Sequence, residues 1–540
     1  MMTVVNPAGE GTRDRGGDPG ADGEARQRAE FAALQARLMP IWRSLEERSL
    51  TPHTSVVVPS LSFDQKELAK IQGVSFYEER LLFTLIRLRD PGATVIYLTS
   101  QPIHPDIVEY YLSLLRGVSV RNARDRLHML CLYDASSQAL TRKILDRPRL
   151  IRRLRELIRD PDRAYLTCFN STILERRLSL ELGIPLNGVD PDLLWIGTKS
   201  GSRRVFDRAG VDQARGVANV RTVDEVLDAL AGLKEAEPGL ARAVVKLNES
   251  FAGAGNALFT YPPGSAAPSR AELARALESM AWASSTESFD NFTDTLAEMG
   301  GIVEEFVEAE GLRSPSAQLR VNPDGSVALI STHDQVLGGP TGQTYLGCRF
   351  PADEAYRALI QEQALKVGDV LQRNGVVSRF AVDFLVYPEA GGWRCLAVEI
   401  NLRMGGTTPP FLALQFLTGG AIEEATGQFM ARGKTPKFYY ATDNLRSPAY
   451  KGLLPEDFVD ILAAHHVDFD PFSETGAVFH MIGAVSQFGK LGVTCIGDSV
   501  AHADEIYRKV VRVLDQEMGT LGEPEAGAFH PFEAAVRGME

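Results

Sequence analysis

The segment Arg379-Phe-Ala-Val-Asp383-Phe-Leu-Val-Tyr387, the turn Pro388-Glu-Ala-Gly-Gly392, and the return Trp393-Arg-Cys-Leu-Ala-Val-Glu399-Ile-Asn401-Leu-Arg403-Met-Gly-Gly constrain this chain more than any other stretch. Two apolar runs of strand length around a short Pro- and Gly-containing loop predict a β-hairpin. Alternate side chains of an extended strand share a face, so Glu399, Asn401 and Arg403 point one way and Val398, Ile400 and Leu402 the other. Asp383 falls about one pair from lying opposite Glu399, and cross-strand or diagonal neighbours sit roughly 5–8 Å apart. Carboxylate and amide oxygens at such a spacing are ligands that hard Mg²⁺ accepts, together with substrate phosphates and water. The hairpin therefore reads as a platform for magnesium and a nucleotide. A surface hairpin of solvated charges would not explain polar residues at alternate positions of so apolar a segment.

At 540 residues the chain needs several units of ~100–200 residues each. Its 57 basic and 70 acidic residues give a net charge of −13, which opposes nonspecific attraction to nucleic acid or an anionic membrane. The five cysteines, at 131, 168, 348, 395 and 495, form no C-x-x-C pair, so a reduced cytoplasmic setting is expected. No apolar run is long enough to span a bilayer. Residues 1–27, rich in Gly, Asp and Arg, are expected to be a disordered tail, neither signal peptide nor anchor.

Strand patterns at Thr54-Ser-Val-Val-Val, Ala93-Thr-Val-Ile-Tyr-Leu, Leu127-His-Met-Leu-Cys-Leu and Arg163-Ala-Tyr-Leu-Thr-Cys-Phe alternate with helical ones, the first spanning Arg28 to Arg48. That alternation predicts an α/β domain with a parallel sheet over 28–190. Within it, Glu78 and Glu79 are expected on a solvated helix face. The chemistry-bearing region follows over 191–435, and 436–540 reads as a small α/β or α+β module.

Ala243-Val-Val-Lys246-Leu ends a strand at a lysine, and Asn248-Glu-Ser-Phe-Ala252-Gly253-Ala254-Gly255-Asn joins it to the strand Ala257-Leu-Phe-Thr-Tyr. Glycine lets backbone N–H groups in such a loop approach phosphate oxygens, and Lys246 adds a point charge. Gly301-Ile-Val-Glu304-Glu305-Phe-Val307-Glu308-Ala-Glu310 begins apolar and becomes acidic. A strand of this kind can offer backbone groups to an adenine edge while a trailing carboxylate takes the ribose hydroxyls. The chain lacks G-x-x-x-x-G-K-[ST] and the kinase H-R-D and D-F-G pair, so phosphate handling must use another design. Arg320 and the segment from His333 to Tyr345 mix polar groups with glycine between that strand and the hairpin; they read equally as part of a substrate pocket or as ordinary strand and loop.

The order of lysine, lysine with Gly-rich loop, acidic strand, Asp and then E-x-N-x-R resembles the ATP-grasp superfamily over about 198–406. The resemblance implies a pre-ATP-grasp domain, a two-lobed α+β core (small lobe about 198–300, large lobe about 301–435) and the C-terminal module. It also implies roles. Lys199 and Lys246 bind phosphates, assisted by Ala252, Gly253, Ala254 and Gly255. Glu304, Glu305 and Val307 lie along the adenine, and Glu310, with Glu308 as the alternative, takes the ribose. Asp383, Glu399 and Asn401 hold magnesium, two ions being expected with Mn²⁺ able to substitute. Arg403 and Lys246 act on the reacting phosphate and acyl oxygens. Gly197-Thr-Lys-Ser-Gly-Ser-Arg, Arg313-Ser-Pro-Ser, His333-Asp-Gln-Val-Leu-Gly-Gly, Gly476-Ala-Val-Phe-His-Met-Ile-Gly and Gly489-Lys-Leu-Gly-Val are similar to the pheganomycin-type peptide ligases. What this implies is ATP-dependent amide formation through an acyl phosphate, with small-molecule or peptide carboxylate and amine partners, no nucleic acid or membrane, and a homodimer as one permitted assembly. Thioester formation, small-molecule phosphorylation and a nucleotide sensor are the competing outcomes. A pure binder has no need of an oxyanion arginine such as Arg403.

Overall fold

The computed structural model describes residues 19–47, 51–63, 65–69, 71–250, 255–264, 267–283, 287–338, 342, 344–423 and 426–519. The four expected N-terminal strands form one parallel sheet in the order Leu127–Cys131, Ala93–Thr99, His53–Val58, Ala164–Cys168. Val56, Val58, Ile96, Leu98 and Leu166 are fully buried on it, as a parallel sheet covered on both faces requires. The first helix runs Pro19–Gln35, so residues 19–27 are helical, correcting that part of the expected tail. The predicted 28–48 helix is broken by a turn before Leu38–Glu46.

The stretch around Tyr77 is a 3₁₀ helix, Val74–Arg89, wedged between this domain and the C-terminal region. Glu78 and Glu79 are therefore not solvated: Glu78 Oε2 accepts the Ser100 N–H (2.6 Å) and Glu79 Oε2 accepts the Gly483 N–H (3.1 Å). Burial pushes the Glu79 carboxyl up to about 8. Beside them Arg80 donates to Asp443, which also binds His480 Nε2 (2.6 Å), a buried ionic link between the first and last segments of the chain.

The small lobe is a five-stranded sheet in the order Gly216–Val220, Gly301–Glu305, Arg242–Leu247, Asn256–Thr260, Ala281–Trp282. The acidic strand stops at Glu305, short of the expected 310. The large lobe centres on an eight-stranded sheet in which the hairpin strands Gly392–Asn401 and Ser378–Glu389 are followed by Pro315–Val321, Val327–Gly338 and Thr344–Phe350. The same sheet continues through Phe438–Arg446, Lys490–Gly497 and Gly476–His480, so the α/β C-terminal segment extends the central sheet instead of forming one of its own. Among the described residues no helix is long and apolar enough to cross a membrane.

Candidate active site

The hairpin forms as its alternation demands. Phe380, Val382, Phe384 and Ile400 face a dry core against the helix Glu354–Arg373 (Ile360, Val367, Leu371), which pins the register. In that register Asp383 lies directly opposite Glu399, closer than the offset expected, and Ala381 opposite Asn401. A bulge between Asp383 and Phe384 makes Val398 the extra residue, and Val398 lines the cleft where strict alternation would bury it.

Asn401 Nδ2 donates to Asp383 Oδ2 (2.9 Å) and Glu399 Oε1 (3.3 Å), and Gln335 Nε2 donates to Asp383 Oδ1 (2.8 Å). Lys199 Nζ is 3.0 Å from Glu399 Oε2 and 3.3 Å from Ser250 Oγ. Lys199 opens the helix Lys199–Ala209, capped by Thr198, whose hydroxyl accepts the Gly201 N–H. A side chain at Gly201 would drive its Cβ to 1.8 Å from the Trp195 carbonyl oxygen, so the tight entry needs glycine. Ser202 Oγ on that helix accepts the Ile400 N–H (3.0 Å), locking helix to hairpin and hence Lys199 to Glu399. Asn248 ties the same helix to the small lobe by accepting from Ser200 N (3.0 Å) and donating to the Met299 carbonyl (3.0 Å).

Between the lobes lies a cleft of about 1120 Å³ lined by Lys246, Val244, Glu304, Glu305, Val307, Leu385, Leu396 and Val398. Lys246 donates to Glu304, whose other oxygen takes Arg203 Nη1 at 3.1 Å. Glu304 is thus a positioning residue for the lysine, a role the alternation pattern did not show. The Glu305 N–H is spent on the Arg215 carbonyl (2.9 Å), and its side chain on Arg215. Glu310 is exposed and lines no part of the cleft, and Glu308 is exposed and paired with Arg242. The ribose assignment therefore has no support in this geometry. Ala252, Gly253 and Ala254 lie outside the described residues; the Gly255 carbonyl accepts the Leu247 N–H (3.0 Å) and closes the strand pair that carries Lys246.

Burial and the facing Glu399 push the Asp383 carboxyl up. Burial would raise Glu399 too, but Lys199, then Lys246 and Arg403, outweigh it and hold that carboxyl low. Two carboxylates directly across a strand pair repel unless a cation joins them. Their oxygens, with the Asn401 amide turned to present its own, form a hard donor set on one face, which fits Mg²⁺.

Arg403 lies past the strand end, its guanidinium 5.5 Å from the centroid of the Phe63 ring and Nη1 3.3 Å from the Met404 carbonyl. It lines a second, smaller cavity that also holds Arg320. His333 is fully buried, bonded through Nε2 to Tyr439 OH (2.6 Å), and belongs to the core. Residues 339–341 and 343 of that segment lie outside the described residues. Arg203 and Gln335 were not singled out individually as site residues, although Arg203 closes the Gly197-Thr-Lys-Ser-Gly-Ser-Arg segment and Gln335 stands in the His333-Asp-Gln motif.

A family model described as IQCH-like, ATP-grasp matches residues 194–261 and 267–423, and one for a PGM1 C-terminal domain matches 457–510. An L-propargylglycine--L-glutamate ligase of Streptantibioticus cattleyicolor is 30% identical over 472 residues, covering 85% of this chain and 94% of that protein. IQ motif-containing protein H of Danio rerio is 24% identical over 567 residues, covering 95% of this chain and 53% of that protein. Among solved structures, a biotin carboxylase complex from Campylobacter jejuni gives a TM-score of 0.52 at 12% identity, over 88% of this chain and 96% of that one. The ADP complex of an N5-carboxyaminoimidazole ribonucleotide synthetase gives 0.50 at 14% identity, over 86% of this chain and 98% of that one; these distant likenesses concern the fold.

Proposed function

We infer that this chain, which belongs to the ATP-grasp family, is an ATP-dependent carboxylate–amine ligase that forms an amide through an acyl phosphate and releases ADP and phosphate. Its relative joins two amino acids by name, and we take an amino acid or peptide as the substrate class here. One observation carries the assignment of roles: Asp383, Glu399 and Asn401 converge on one face of the hairpin, with Lys199 at 3.0 Å on one side and Arg403 at the strand end on the other.

We place the nucleotide base in this cleft, among the apolar side chains of Val244, Leu385 and Leu396, with backbone groups of Glu305 and Val307 as its polar partners. Lys246, held by Glu304, and Lys199, held by Glu399, present ammonium groups where the phosphates lie. Asp383, Glu399 and Asn401 would hold Mg²⁺, which would supply positive charge against the phosphates; we propose two ions, with Mn²⁺ able to replace them. Arg403 orients the substrate carboxylate so that one oxygen attacks the γ-phosphorus as the bond to the ADP oxygen breaks. An amine then attacks the acyl carbon, the bond to the phosphate oxygen breaks, and the amine's surplus proton is released. Arg403 faces the oxyanion that develops in both steps.

The test is to incubate the protein with ATP, Mg²⁺ and pooled amino acids and short peptides, and to measure phosphate release and product masses. A condensed product of mass equal to acid plus amine minus water, with equimolar phosphate, is expected. A phosphorylated or thioester product, or nucleotide binding without turnover, would overturn the reading.

A further inference from the structure

Three neighbouring strands place their side chains in rows. Ser316, Asp383 and Glu399 form one row, and Gln318, Ala381 and Asn401 the next. In the same register Arg320 lies directly opposite Arg379, and Arg403 lies two residues past Asn401, where its strand has ended. Four residues along the strands, about 13 Å at ~3.3 Å per residue, separate the carboxylate row from this arginine row on the same face. Like charges directly across a strand pair destabilise a sheet. Here Arg320 and Arg379 are such a pair, and Arg403 lines the same cavity.

A cavity of about 90 Å³ opens over the row, and Arg87 from the 3₁₀ helix completes its walls. That volume is far above the ~10–15 Å³ needed to admit one water. Among the described residues no acidic side chain lines it. Arg320 reaches Asn187 Oδ1 at 3.2 Å and Arg87 donates to Tyr165 OH, both neutral partners. The Nε atoms of Arg87 and Arg320 and the Nη1 of Arg379 are buried without any acceptor. Cationic donors in this condition are costly unless an anion meets them. Burial, Arg320 and Arg87 together push the Arg379 guanidinium down to about 9. The cavity is also walled by Cys168, Asn170 and Ser171, at the carboxyl end of Ala164–Cys168. That strand and His53–Val58 flank the point where the order of the parallel sheet reverses, which is where open α/β sheets bind ligands.

We propose that this cavity takes the acid substrate, and that the substrate carries a second anionic group, carboxylate or phosphate, held by Arg320, Arg379 and Arg87 while its reacting carboxylate lies at Arg403. The inference rests on the ligase reading and adds the substrate class to it. Arg320 and Arg379 then determine specificity, and the neutral lining of the rest of the cavity selects for small acids.

The test uses hydroxylamine as a generic amine, so that activation of an acid is read as hydroxamate and ADP with ATP and Mg²⁺. The acids are L-glutamate, L-aspartate and O-phospho-L-serine against L-glutamine, L-asparagine and L-serine. Charged acids are expected to have KM values at least about tenfold lower than their neutral counterparts, the size of one hydrogen bond to a charged group. Arg379→Gln and Arg320→Gln should erase that discrimination with ATP affinity retained, and Arg379→Lys should keep part of it. Preference for glutamate or aspartate makes the second group a carboxylate, and preference for phosphoserine makes it a phosphate. Equal use of neutral and charged acids, or discrimination surviving both glutamine variants, overturns the proposal and leaves the ligase standing. If none of these acids supports ADP release, calorimetry of L-glutamate and phosphoserine on wild type and Arg379→Gln decides the cavity apart from the ligase reading: binding lost in the variant supports it, and no binding to wild type overturns it.

Discussion

Lys246 and Glu304 form a buried ion pair across two strands of the small lobe, and the second oxygen of Glu304 holds Arg203, so one carboxylate anchors two cations at the mouth of the cleft. Glu304 is only 6% exposed. The pair therefore sets where the lysine can point, and it makes the lysine's position depend on a residue that need not touch the nucleotide.

Replacing Glu304 by Gln removes the carboxylate that contacts both Lys246 and Arg203 and leaves the two buried cations without that shared counter-charge. A loss on the order of 3–5 kcal/mol is expected. Chemical denaturation should show it, and nucleotide affinity should fall with it. Unchanged stability would mean that water replaces the carboxylate.

Glu399→Gln keeps the shape and hydrogen-bonding reach of the side chain while removing the charge that faces Lys199 and that we propose for the metal. Mn²⁺ affinity in the presence of ADP, followed by electron paramagnetic resonance, is expected to drop on the order of 10-fold or more, as for loss of one charge-assisted contact. Wild-type affinity in this variant would remove Glu399 from the ligand set.

Arg403→Ala should leave ATP affinity close to wild type, because its guanidinium lies beyond the strand end and outside the residues lining the nucleotide cleft. Turnover should fall by about 10²–10³, the loss typical of one oxyanion donor. Phosphate release at wild-type rate would separate Arg403 from the chemistry.

Glu79 imposes a pH dependence on stability. Its carboxyl is raised in the folded protein to about 8 from an ordinary value of 4.5, so the folded state holds a proton that the unfolded chain has lost over that interval. Stability from this group is full below about pH 4.5 and is lost as pH rises to about 8, at up to ~1.4 kcal/mol per pH unit. Glu79→Gln does not titrate, so its melting temperature should gain on wild type between about pH 5 and about pH 8. Parallel curves would show that Glu79 ionises freely in the fold.

The four parallel strands and the two hairpins were legible because each is a local pattern. Alternation of apolar residues over 379–403 is enough to set which side chains share a face, and it brought Asp383, Glu399 and Asn401 together correctly. It failed where a neighbour from elsewhere overrides local preference. Glu78 and Glu79 look like a solvated helix face until the C-terminal segment supplies Gly483 as a partner. Val398 should be buried by alternation, but the bulge turns it into the cleft.

That Asp383, Glu399 and Asn401 would share one face of a hairpin lay within the one-dimensional sequence, since spacing of two along a strand is a short-range geometric rule. Tertiary structure alone decided that Glu304 would hold Lys246, that Ser202 would lock its helix to the hairpin, and that Arg87, Arg320, Arg379 and Arg403 would line one cavity. Such neighbours come from segments far apart in the chain, and their meeting depends on strand register and domain packing, which the burial of distant apolar faces determines together.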